Sequence, residues 1–437
     1  MKLYLLIASY CLISILFGCK KSTLDNKTTT IIPEYAKKQL TVIMISVDGF
    51  RPDYLELPQA SDLKKLSEKG VKADYMLPSF PSSTFANHYT LATGLYPENH
   101  GIIDQRFYDR TYGEFNVKKG ASKQSKWFLG KPLWTLAAEN KTPFLSSWWF
   151  GSEANGPSSE VIPYDNDKDK KEGDPGAFKE RIDKIITDLN NPIVETRPNF
   201  IAFYISNVDV AAHQNGPNAS QTIAAIQKTN DAVKKLVDEV SKLNLPNVNY
   251  VFVSDHGMVE ANTSNPIQYP AIDEKKFIVT TDETMIQLYA KDVKDIQTTY
   301  EALVKTKDAS RYDVVLKKDN TLFATGSKDP HNRIGDILLI AKSPYQFQFQ
   351  DDKNSTTGTI KYKALKKGCH GYDPKNNPAM NATFFAWGSA FNKTTIPSFK
   401  NVDVYPLVAH TLGLKYTHPI DGNKNTLVNA KVLKNIK

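Results

Sequence analysis

Cysteine is nearly absent, with three in 437 residues, Cys11, Cys19 and Cys369. A disulfide framework is therefore excluded as the source of stability, and a sizeable hydrophobic core has to supply it. Also missing is an apolar run suited to a membrane span, because Leu3 to Phe17 is too short and too promptly ended. The formal net charge of +8 is spread among mixed-sign segments, without a basic block carrying interleaved aromatics. That pattern describes a solvated surface, and no nucleic-acid duplex groove is expected, although a basic surface still attracts anionic substrates or lipid headgroups. There is no internal repeat. What is present, 41% hydrophobic and 23% charged residues, is ordinary globular composition. The length fits one large domain, or a main domain carrying an insertion.

The N-terminus reads as a secretory signal, Met1-Lys2 followed by the short apolar run. Its end, Leu16-Phe17-Gly18-Cys19, resembles the lipobox of bacterial lipoproteins, with Phe17 bulkier than the usual residue there. The resemblance implies a signal peptide over 1–18 and an acylated Cys19 as the first mature residue. A polar tether over 19–39 would follow, with a lipid anchor at the bacterial cell envelope. Cys369 would then be the one free thiol of the mature chain.

From residue 40 onward apolar runs alternate with helical patterns. Leu40–Val47 reads as a strand buried on both faces and ends in Asp48-Gly49. Ala60–Glu68 is helix-compatible, and a helix is expected to start at Thr84, after Pro78, Pro81, Ser82 and Ser83. Pro132–Asn140 reads as a helix, Phe144–Phe150 as a strand, and Gly151–Asp169 as a loop. Then come a helix over Phe178–Leu189, a strand over Asn199–Ser206 ending near Asp209, and a long amphipathic helix over Ser220–Leu243. The strand Tyr250–Val253 ends in Ser254-Asp255-His256-Gly257. Between 259 and 366, short strands around a helical stretch indicate a small α+β insertion. A final strand, Ala382–Ala386, and a closing helix, Val402–Leu412, complete an α/β chain with a mainly parallel sheet.

In open α/β sheets, ligand groups gather beyond the carboxyl ends of strands. Asp48, Asp209 and Asp255 all stand there, with His213, His256 and His370 at or near such ends. Taken singly, each Asp reads as a turn or cap residue, each His as structural, and Thr84 as an N-cap. Taken together they describe a site, because carboxylates crowded in a cleft repel unless a cation neutralises them. Mixed Asp/His sets suit zinc, manganese or iron better than calcium. Asp209 and His213, at i and i+4, lie on one turn of helix.

Val47–Leu55 (VDGFRPDYL), Thr84–Ile102 (TFANHYTLATGLYPENHGI), Asp209 to His213 followed by Gly216-Pro217, Ser254–Met258 (SDHGM) and His370–Pro374 (HGYDP) carry a resemblance. In order and spacing they are similar to the nucleotide pyrophosphatase/phosphodiesterase family of the alkaline phosphatase superfamily. The resemblance implies an alkaline phosphatase-like fold over 40–437, with helices on both faces of the sheet. It implies two zinc ions, one held by Asp209, His213 and His370, the other by Asp48, Thr84, Asp255 and His256. It also implies Thr84 as the nucleophile, forming a phosphoryl-threonine intermediate that water releases.

The expected activity is hydrolysis of phosphodiester or pyrophosphate bonds in small-molecule substrates such as nucleotides. For recognition, the family's phosphate-binding Asn falls on Gln105, which keeps the amide but has a stem longer by one methylene. Phe85 and Tyr164 align with aromatics that sandwich a nucleobase, and Trp149 and Glu153 fall within the family's Trp-Pro-Gly-Ser-acid stretch. Phosphomonoesterase action and cleavage of lysophospholipids or glycerophosphodiesters are the alternative activities. A non-catalytic metal-binding lipoprotein is the alternative from another class.

Overall fold

Along the first strand, side chains alternate between two separate cores. Val42 and Met44 join one apolar cluster, and Ile43, Ile45 and Val47 the other, all fully buried. A period of two explains this, since successive residues of a strand face opposite ways. The computed structural model describes residues 40–155, 161–162, 175–326, 328–350 and 362–434. The expected signal peptide and tether lie outside them. Residues 38–437 cluster as one unit. Among the described residues no helix is long and apolar enough to cross a membrane.

The central sheet has eight strands: β1 (Thr41–Val47), β2 (Val71–Ala73), β3 (Phe144–Ser147), β4 (Val161–Ile162), β5 (Phe200–Ile205), β6 (Val248–Val253), β7 (Phe384–Gly388) and β8 (Thr394–Ile396). Their order is β8-β2-β7-β6-β1-β5-β3-β4. β6, β1, β5, β3 and β4 run parallel, whereas β7 is antiparallel to both β6 and β2.

Helices cover both faces. On one side α1 (Ser61–Ser67) contributes Leu63 and Leu66 to the cluster holding Ile43 and Ile45. On the other, α2 (Thr84–Thr93) and α3 (Leu133–Glu139) bring Tyr89, Leu133 and Trp134 against Val42 and Met44. α4 (Pro175–Leu189), α5 (Asn207–Asn215) and α6 (Ser220–Lys242) join the first face, with Ile182, Val208 and Leu236 buried there. α7 (Val404–Thr411) joins the second through Leu407 and Val408. The expected α/β class, with a mainly parallel central sheet and helices on both faces, is the fold observed.

Within 259–366, strands Phe277–Thr281, Met285–Ala290, Ile337–Ala341 and Tyr312–Leu316 pair in that order as an antiparallel sheet. With the helix Lys294–Thr306 they form a third apolar cluster around Ile286, Leu288, Leu303 and Ile337. Several expected boundaries move by two or three residues, such as the start of the strand before Ser254, now at Val248, and both ends of the final strand, now Phe384–Gly388. The strand from Phe144 stops at Ser147 because Trp148 takes a φ of 61°, which leaves the extended region and turns the chain. The closing helix proper begins at Val404, after a 3₁₀ turn over Asn401–Asp403.

Candidate active site

β1 lies between β5 and β6, so the residues just past their carboxyl ends, Asp48, Asp209 and Asp255, are brought side by side. Asp48 extends the ladder by donating its N–H to the Ile205 carbonyl at 2.8 Å. Gly49 then turns the chain at a φ of 66°, where a Cβ would come within 3.2 Å of Asp209 Cβ. Its N–H donates to Asp255 Oδ1 at 3.1 Å, tying the ends of β1 and β6 together. Asp209 sits in the first turn of α5, and His213 in its last.

Thr84 is the first residue of α2, and the capping position belongs to Ser83. Its hydroxyl is therefore not spent as an N-cap. Oγ1 lies 3.1 Å from His256 Nε2 and 3.5 Å from Asp48 Oδ1, and the residue is only partly buried. His256 Nε2 is also 3.3 Å from Asp48 Oδ1 and 3.1 Å from Asp255 Oδ2. Beside this set lies a second: His213 Nε2 is 3.1 Å from His370 Nε2 and 3.3 Å from Asp209 Oδ1, which is 3.6 Å from His370 Nε2. The imidazoles of His256 and His370 stack at 3.7 Å, so donor atoms of Asp209, His256 and His370 also fall within 4.8 Å of one another.

The three imidazoles are oriented from behind. Their Nδ1 atoms meet backbone carbonyls, His213 at Gly368 (2.7 Å), His370 at Ser82 (2.9 Å) and His256 at Gly257 (2.8 Å). A ring whose Nδ1–H donates to a carbonyl presents an Nε2 lone pair on its other side. Burial, the leading cause, pushes His213 down to about 3 and His256 and His370 well below the ordinary histidine value. They are neutral rings with inward lone pairs.

Burial also leads in raising the carboxylates, Asp48 and Asp209 well above their usual range and Asp255 up to about 8. Mutual repulsion adds to this, from Asp255 on Asp48 and from Asp48 on Asp209. Asp209 Oδ1 and Asp255 Oδ2 are buried without a hydrogen-bond partner. Carboxylate oxygens and imidazole lone pairs packed at 3.1–3.6 Å repel one another, and cations among them convert that repulsion into coordination. The residues present thus fit metal ions of the kind that accept mixed nitrogen and oxygen ligands.

A cavity of about 160 Å³ opens over the site, lined by Asp48, Thr84, Phe85, Gln105, Lys366 and His370 among others. Gln105 lines it with its Nε2 donating to Asp282 Oδ1 at 2.7 Å. Phe85 lines it while packing on Phe150 at 4.5 Å.

Trp149 and Glu153 are not in the cavity wall. Trp149 is 1% exposed, and its indole N–H donates to the His88 carbonyl at 3.2 Å, so it supports α2 from within the core. Glu153 is half-buried in the short helix Ser152–Asn155. Tyr164 lies outside the described residues.

Three residues at the site escape sequence reasoning. Tyr204, inside β5, donates its hydroxyl to Asp48 Oδ2 at 2.6 Å. His88, 1% exposed, places Nδ1 2.9 Å from the Thr84 carbonyl and Nε2 2.9 Å from Ser46 Oγ. Lys366 reaches the cavity from the segment before His370. Tyr204 had one available signal, a polar group within the otherwise apolar run FIAFYI, but its direction depends on register.

A family profile described as type I phosphodiesterase / nucleotide pyrophosphatase matches residues 42–373. The chain belongs to this family. Among type I phosphodiesterase / nucleotide pyrophosphatase relatives, an uncharacterized pyrophosphatase/phosphodiesterase of Schizosaccharomyces pombe is 28% identical over 97% of this chain and 85% of its own length. A venom phosphodiesterase of Crotalus durissus collilineatus is 32% identical over 89% of this chain. The chain spans under half of that protein, 46% of its length. In fold, murine ectonucleotide pyrophosphatase/phosphodiesterase 5, solved as an inactive threonine-to-alanine variant in complex with AMP, superposes with a TM-score of 0.76. That match covers 90% of this chain and all of the other, at 24% identity.

Proposed function

We propose that this protein hydrolyses phosphodiester or pyrophosphate bonds in nucleotides, with Thr84 as nucleophile and two zinc ions as cofactors. The observation that carries the reading is the Thr84 hydroxyl, uncommitted to helix capping and 3.1 Å from His256 Nε2, beside a second Asp/His set. Family membership and the AMP complex of the structural relative support the substrate class.

Asp48, Asp255 and His256, with Thr84, would hold one cation; Asp209, His213 and His370 would hold the other. When bound, the ions lower the hydroxyl pKa and offset the charge that builds on the transferring phosphoryl group. Thr84 loses its proton to cavity water, and its oxygen forms the new bond to phosphorus. The bond to the leaving oxygen breaks opposite it, taking its electron pair. The N-terminus of α2 places a favourable dipole under the phosphoryl oxygens. Water then attacks the phosphoryl-threonine and restores the hydroxyl.

The test is a substrate profile on purified protein of known metal content. Bis-p-nitrophenyl phosphate is expected to turn over faster than p-nitrophenyl phosphate, and nucleoside triphosphates faster than phosphocholine lipids. The reverse order in the first pair would make the protein a monoesterase. The same proposal places the domain on a membrane through lipidated Cys19. A Cys19→Ser chain is then expected in the soluble fraction, and its persistence in the membrane fraction would remove the lipid from the account.

A further inference from the structure

We infer that Lys366 reads the leaving group, and that it makes the site select substrates whose leaving group is itself a phosphate. The inference rests on the phosphodiesterase reading above and adds to it the identity of the bond preferred.

Lys366 is fixed at both its backbone and its tip. Its N–H donates to Gln346 Oε1 at 3.2 Å and its carbonyl accepts from Gln346 Nε2 at 2.7 Å. The next two residues strap the segment to α5, with the Lys367 N–H on the His213 carbonyl (2.9 Å) and the Gly368 carbonyl beside His213 Nδ1 (2.7 Å). At the tip, Nζ lies 3.1 Å from Glu283 Oε1 and 3.5 Å from His213 Nε2, with the side chain 34% exposed in the cavity wall. An ammonium has three N–H donors. Glu283 accepts one and holds the group in place, leaving donors for a ligand in the cavity.

Its position within the site decides which part of the substrate it meets. The Thr84 hydroxyl stands with Asp48 and His256, whereas Lys366 stands beside His213 in the other donor set. In-line displacement puts the entering and leaving oxygens on opposite sides of phosphorus. Lys366 is thus on the side from which the leaving group departs. A nucleoside triphosphate cut at its α-phosphorus releases pyrophosphate there, and the charge developing on it meets a fixed ammonium. A diester with an aryl or sugar alcohol as leaving group presents a single leaving oxygen there and none of the further anionic oxygens that pyrophosphate offers to the ammonium. A charge-assisted hydrogen bond of this kind corresponds to about tenfold or more in rate.

The experiment measures kcat/KM of the full chain for ATP, bis-p-nitrophenyl phosphate and p-nitrophenyl phosphate, together with metal content, in wild type, Lys366→Gln, Lys366→Met and Lys366→Arg. In the Gln and Met chains the ATP to bis-p-nitrophenyl phosphate ratio is expected to fall about tenfold or more at unchanged metal content, and Arg is expected to restore most of it. A ratio within twofold of wild type overturns the inference. So does loss of metal with an equal fall on all substrates, which would make Lys366 a support for His213. A selective fall on p-nitrophenyl phosphate overturns it too, by placing the ammonium at the transferred phosphoryl. A wild-type chain that cleaves neither ATP nor the diester refutes the parent reading instead, and is told apart by that result alone.

Discussion

The Thr84 hydroxyl oxygen stands 3.1 Å from the Nε2 of His256, whose Nδ1 is already committed to the Gly257 carbonyl. A helix-start threonine ordinarily caps its own helix. Here Ser83 occupies that position, and the threonine oxygen faces the His256 lone pair and the Asp48 carboxylate. Such an arrangement is stable with a cation and repulsive without one.

Removing that oxygen should therefore separate chemistry from metal binding. Thr84→Ala is expected to lower kcat by at least about three orders of magnitude, since a nucleophile and its activating groups act as a unit. Metal content measured on the same sample should remain close to wild type, because the Asp and His donors are untouched. An Ala chain with ordinary turnover would end the covalent route.

Tyr204 gives a milder and different outcome. Its hydroxyl fixes Asp48 through a 2.6 Å hydrogen bond from inside β5. Groups that orient metal ligands typically account for 10- to 100-fold in affinity. Tyr204→Phe keeps the ring and its packing, so the expected result is weaker metal binding in a competition titration with a chelator, within that range. Activity at saturating metal should largely return. A titration that matches wild type would show that Asp48 is held well enough by its backbone alone.

The fold and the convergence of these Asp and His side chains were legible in the sequence for one reason. Asp48, Asp209 and Asp255 each end an apolar run, and a parallel sheet turns strand ends into neighbours. Tyr204 and Lys366 were not legible by that route. Tyr204 reads as one more β-former inside FIAFYI, and only the register of β5 against β1 aims it at Asp48. Lys366 is one of two adjacent lysines in a loop, and the strap to α5 decides which of them faces the cavity. Trp149 shows the converse. An aromatic within a motif is indistinguishable in sequence from a core side chain, and here it is 1% exposed with its N–H on a backbone carbonyl.

His100 sets an acid limit on stability away from the candidate site. It is fully buried, with Nε2 3.0 Å from Thr90 Oγ1 and Nδ1 accepting from the Ile102 N–H at 3.2 Å. Burial lowers it from 6.5 to about 3. Because the unfolded chain takes up this proton first, stability is full above 6.5 and falls as pH drops from there toward 3. At pH 5 the loss is about 2 kcal/mol from this residue. Urea unfolding at pH 7 and pH 5 should show a loss of stability on acidification that is smaller in His100→Gln than in wild type by about that amount. Equal slopes in the two chains would assign the acid limb elsewhere.

Chelation tests the site as a structural element as well as a catalytic one. Without cations, the buried oxygens Asp209 Oδ1 and Asp255 Oδ2 have no hydrogen-bond partner and face imidazole lone pairs at 3.1–3.6 Å. Ions that bind the folded chain and not the unfolded one stabilise it by mass action, about 2.7 kcal/mol at one hundred times the dissociation constant. Treating the protein with a chelator and removing it by gel filtration should abolish turnover and lower the melting temperature. Zinc should restore both with a stoichiometry of two. The order of recovery carries the information: the Asp48, Asp255 and His256 set contains the residues around Thr84, so chemistry cannot return before that set is filled. Restoration of full activity at one equivalent would reduce the two-ion proposal to one. A melting temperature indifferent to the chelator would mean that the six side chains are stabilised by protonation instead.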